Sequence, residues 1–212
     1  MKNEEMPEAV FGPAGLFSQA CARVYGSRAG AELAAYFNFS EEQTAGELPE
    51  FYPRKVYPLI VLWRYLEGDR AYWDQAPSPL EQRALETLKI SRQELQRRLA
   101  ALWLRTAAVN EKAEKFLTAA SGAADLREDA RQDVDRLRLC NQAGLRIARL
   151  VAAYHATLSG AAPSKDVLAM NSDLLVWMRQ SVRLDFTDPK GGDPASWIEA
   201  AEILRSHLLA AR

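Results

Sequence analysis

Residues 91–120 read SRQELQRRLAALWLRTAAVNEKAEKFLTAA. Within them Leu95, Leu99, Leu102, Thr106, Val109, Ala113, Phe116 and Ala120 follow one another at alternating steps of four and three. That is the heptad rhythm of a long helix with one seam turned inward. Ser91, with Glu94 three residues on, is a capping box and marks the start. SGAA at 121–124 is a tight turn, and a second long helix is expected over 125–158. Its seam is Val134, Leu137, Asn141, Gly144, Ala148, Val151, His155 and Leu158. Two helices of equal period joined by a short turn pack as an antiparallel hairpin.

Working outward, nearly every segment has helical periodicity. Leu16 to Tyr25 is a short amphipathic helix after Pro13. Ser27 caps a second, running to Phe37. Ser40 caps a third, which ends near Leu48 because Pro49 follows. Residues 58–66 are strongly apolar and end at Gly68. DQAPSPLEQ, residues 74–82, holds two prolines and is the expected linker. Ser78 caps a helix over 79–88. Beyond the hairpin, helices are expected over 167–182 and 195–211, with the loop DFTDPKGGDP between them. No convincing pair of strands is found. The class is all-α: a small N-terminal helical domain over 12–76, and a helical bundle over 77–212 for oligomerisation or partner binding.

The composition is that of a globular protein, with 48% hydrophobic and 26% charged residues in a chain of 212. The formal net charge is -1, so no global basic field draws the chain to nucleic acid or to an acidic membrane. Cys21 and Cys140 are far apart and form no CxxC pair, which suggests two buried free thiols in a reducing cytoplasm. MKNEEMPEAV at the start lacks an apolar core region, and VYPLIVLW at 56–63 is too short to span a bilayer. A cytoplasmic protein with no membrane partner is expected.

Residues 31–48, AELAAYFNFSEEQTAGEL, raise a functional question. Ala34 is a small residue suited to a helix crossing, with Leu33, Phe37 and Phe39 around it. Asn38 tolerates a turn of positive φ, and Ser40 starts the next helix. With YGSRAGAELAAYFNFS, then YPLIVLWRYLEG and RAYWDQAPSP, the chain resembles the phage CI-repressor type of helix-turn-helix domain over about 16–79. The resemblance implies DNA binding, with Ser40, Gln43 and Thr44 on the reading helix and Arg54 and Lys55 beside it. Thr44 and Glu47 stand where the family carries apolar residues. Glu41, Glu42 and Glu47 oppose the phosphate attraction that supplies most affinity for DNA. Arg97 and Arg98 on the long helix are the alternative phosphate contacts.

Two other readings have their own residues. Glu111, Glu114, Asp125 and Glu128 form an ExxE…DxxE arrangement of the sort with which all-α nucleotide pyrophosphohydrolases bind Mg²⁺. The heptad seam, however, leaves Glu111 and Glu114 outside. His155 and His207 have no Cys or His at metal-ligand spacing, so no metal, cofactor or catalytic residue is expected. Asn141 and His155 share a seam position and suit a role in fixing register or partner number. Trp103, Leu104, Leu117, Leu145, Ile147 and Leu150 lie off the seams, which suggests a homodimer through the bundle, with Asn141 or His155 near its seam. The leading expectation is a non-enzymatic regulator of the helix-turn-helix kind. The alternative is a protein-interaction adaptor that binds no nucleic acid.

Overall fold

The computed structural model describes residues 15–42, 79–161 and 164–181, with Ile198, Glu202, Arg205 and Ser206. Six α-helices lie within them: α1 Leu16–Tyr25, α2 Ser27–Glu42, α3 Pro79–Leu88, α4 Arg92–Ser121, α5 Arg131–Leu158 and α6 Ser164–Ser181. One turn of 3-10 helix, Glu128–Ala130, precedes α5. No strand occurs among the described residues, and the all-α class holds. The helices expected over 58–66 and 195–211 lie wholly or largely outside the described residues.

The chain divides into two compact units, Met1–Ala45 with Val109–Gln142, and Gly46–Ala108 with Ala143–Arg212. This differs from the sequential division expected at residues 76 and 77. The physical reason is that α2 does not close a core of its own. Its Ala29 and Leu33 share a core with Leu117 and Ala120 of α4, Leu126 and Ala130 of the connection, and Val134 of α5. Burying apolar faces against one another is what binds these distant segments into one body.

In this first unit, α1 and α2 are separated by Gly26 alone, at φ 105, a left-handed conformation that suits glycine. The two helices cross at Gly30, where an added Cβ would lie 2.5 Å from the backbone of Cys21 and Ala22. The crossing expected at Ala34 was a different one, between helices on either side of Asn38; Ala34 itself is buried. Phe17 of α1 stacks edge-on against Phe37 of α2, with centroids 5.9 Å apart.

The expected turn at Asn38 is absent, because α2 is continuous from Ser27 to Glu42. Ser40 therefore sits inside a helix instead of capping a new one. Phe39 explains the continuation: its ring packs at 5.8 Å from Phe116 of α4, and Lys112 lies 4.6 Å above it. Helical geometry through Asn38 is what brings Phe39 onto that surface, so packing overrides the local preference for a turn. The second long helix also begins later than expected, at Arg131 instead of residue 125. The intervening segment reaches back to the α1–α2 corner, where the Arg127 amide donates to the Tyr25 carbonyl at 3.2 Å.

The second unit holds α3, α4 up to Ala108, α5 from Ala143, and α6. Its main core gathers Trp103, Ala107, Ile147, Leu150, Val151, Tyr154, Val167, Leu174, Leu175 and Met178. A smaller one joins Ala84 of α3 to Leu95 and Leu99. Helix α3 is closed by Lys89 just after it, whose φ of 53 is left-handed and whose amide donates to the Leu85 carbonyl at 2.9 Å. Helix α4 begins with the expected cap, Ser91 Oγ accepting from the Glu94 amide at 3.1 Å. Trp103, Leu117, Ile147 and Leu150, expected to be left over for a partner, are each buried within the chain's own cores. Leu104 is the member of that set that stays exposed, at 59%.

Candidate functional site

Helix α4 carries a second stripe, one residue on from the heptad seam: Gln96, Ala100, Trp103, Ala107, Asn110, Glu114 and Leu117. Gln96, Trp103 and Leu117 are among the most deeply buried side chains of the described chain. This second stripe turns Glu114 towards α5, against the expectation that it lies outside. Arg138 Nε donates to Glu114 Oε1 at 2.7 Å, and Gln142 Nε2 to the same oxygen at 2.9 Å. Asn141 Nδ2 donates to Glu114 Oε2 and to the Asn110 carbonyl, each at 2.9 Å. Burial pushes the Glu114 carboxyl up, but the hydrogen bonds from Arg138, Gln142 and Asn141 and the Arg138 charge hold it below its ordinary value.

A surface groove of about 420 Å³ runs beside this cluster, lined by Glu111, Glu114, Lys115, Thr118 and Ala119. Its chemistry is that of a mixed helix face, one cation among two acids. The Glu114 carboxylate accepts three hydrogen bonds over its two oxygens. It is ionised and oriented, which suits joining helices better than passing a proton.

The other carboxylates of the ExxE…DxxE arrangement have separate tasks. Asp125 Oδ2 accepts from the Arg28 amide at 2.6 Å and Oδ1 from the Ala29 amide at 3.4 Å, so it caps α2 in place of Ser27. Those amide bonds, the Arg28 one foremost, hold its carboxyl below the usual range. Glu128 pairs with Arg131 at 3.2 Å. Among the described residues, no group of three or more His, Cys, Asp or Glu side chains is placed to hold a metal ion.

The second unit has a polar pair of its own. His155 is fully buried, and its Nδ1 lies 2.6 Å from Gln96 Oε1. An amide oxygen only accepts, so Nδ1 carries the proton. Burial drives the imidazole pKa down to about 3, which keeps the ring neutral. A turn further on, Gln93 Nε2 donates to the Ser159 carbonyl at 3.0 Å. Asn141 and His155 both find their partners on α4, within the chain.

Of the residues expected to touch DNA, Ser40, Arg97 and Arg98 lie among the described residues. Gln43, Thr44, Arg54 and Lys55 lie outside the described residues. Ser40 is in the last turn of α2. Arg97 and Arg98 are exposed on α4, 3.6 and 3.0 Å from the same Glu94 carboxylate. Other arginines of the two long helices are engaged too: Arg138 with Glu114, and Arg146 4.6 Å above the Trp177 ring. Neither cysteine is in a disulfide; Cys21 is buried as expected, but Cys140 is exposed. Among the described residues, no helix is long and apolar enough to cross a membrane. No family model matches this chain, and neither the curated proteins nor the solved structures contain a match.

Proposed function

We propose that this chain is a non-enzymatic helical scaffold that acts by binding protein, with a second copy of itself as the first partner. One observation carries the reading. Glu114 and His155 are spent on joining one helix of the chain to another, and Asp125 on tying the α4–α5 connection to α2. A repressor-like role has less support, because α2 continues where the reading unit needs its turn. What remains for a partner in the second unit includes Leu104 on α4 and Val176 on α6, 59% and 56% exposed. Large apolar side chains held in water on well-formed helices are natural anchors when a partner covers them.

Light scattering at micromolar protein tests this. The expected mass is twice 23.7 kDa, reduced by Leu104→Glu or Val176→Glu with the helical circular dichroism unchanged. A monomer mass overturns the self-partner. A fluorescence anisotropy titration with random-sequence duplex DNA in low salt is expected to stay flat. A salt-sensitive rise, lowered by Arg97→Ala with Arg98→Ala, would restore the regulator reading.

A further inference from the structure

We draw no further inference here: the strongest candidate, the open groove along one face of α4 beside Glu114, belongs to the side-chain cluster already described, and nothing in the structure shows what covers its outer wall.

Discussion

Asp125 caps the start of α2, its Oδ2 lying 2.6 Å from the amide of Arg28, 97 residues before it. The N-terminus of α2 thus receives its acceptor from the α4–α5 connection. Ser27, the residue a local reading selects, is itself part of the helix. The same connection serves the end of α1, where Arg127 Nη1 donates to the Arg23 carbonyl at 3.3 Å.

Removing that carboxylate should loosen α2 first. Asp125→Ala is expected to lower the thermal midpoint and to speed amide exchange in residues 27–42 more than in α5. Asp125→Asn should be milder, since asparagine also caps. The folded carboxyl is held low, so its contribution is full above the unfolded carboxylate range and fades as pH falls through the folded value. The asparagine variant should lack that fading. Equal exchange in wild type and Asp125→Ala would show that the cap contributes nothing.

The crossing at Gly30 leaves no room for a side chain. Gly30→Ala would push a methyl into the α1 backbone at Cys21 and Ala22. The expected cost is about 1–3 kcal/mol, the usual range for overpacking. Gly26→Ala should cost more, because its left-handed φ is lost as well and its Cβ would press on the Asp125 carbonyl. Urea denaturation measures both. A neutral Gly30→Ala would mean that the two helices can move apart freely.

Glu114 is the acceptor on which three donors converge. Glu114→Ala should destabilise by about 1–3 kcal/mol, because the partly buried donors of Arg138, Asn141 and Gln142 lose their partner together. A double-mutant cycle with Arg138→Ala should give a favourable coupling that shrinks only partly in high salt. Zero coupling would reduce the pair to a surface contact.

His155 predicts a slope of stability against pH. The unfolded imidazole takes up a proton near 6.5, whereas the folded one resists until about 3. The benefit of the neutral ring is therefore complete above pH 6.5. Below it, stability should fall by about 1.4 kcal/mol per pH unit. His155→Leu paired with Gln96→Leu removes the titrating ring and its partner together, and should flatten the profile between pH 6.5 and 4.5. An unchanged slope in that variant would assign the effect to other groups.

Much of the helical order was legible in the sequence, and the reasons are local. Leu16–Tyr25 and Pro79–Leu88 were found at their actual bounds because proline and glycine punctuate them. Ser91 and Glu94 announced α4 by a cap formed within four residues. What was illegible depends on distant partners. Nothing near Asn38 says that Phe39 must meet Phe116. Nor does anything near Ser27 disclose Asp125. A single heptad seam puts Glu114 outside, whereas Trp103 and Leu117 mark the neighbouring stripe that turns it inward. An apolar residue repeating one position beyond a seam is the signal that a helix is buried on two sides. The polar residue in register with it, Glu114, then becomes the one to examine.

The interleaving of the two units also sets an order of events during synthesis. The apolar face of α2, with Ala29 and Leu33, is made early, but Leu117, Leu126 and Val134, which bury it, come much later. At about 5–20 residues per second, the 97 residues between Arg28 and its cap take on the order of 5–20 s to appear. Throughout that interval Ala29 and Leu33 lack the residues of the later segments that bury them. Chaperone dependence in vivo should therefore follow the speed of translation through residues 43–134, a quantity that silent codon changes alter while every side chain stays the same.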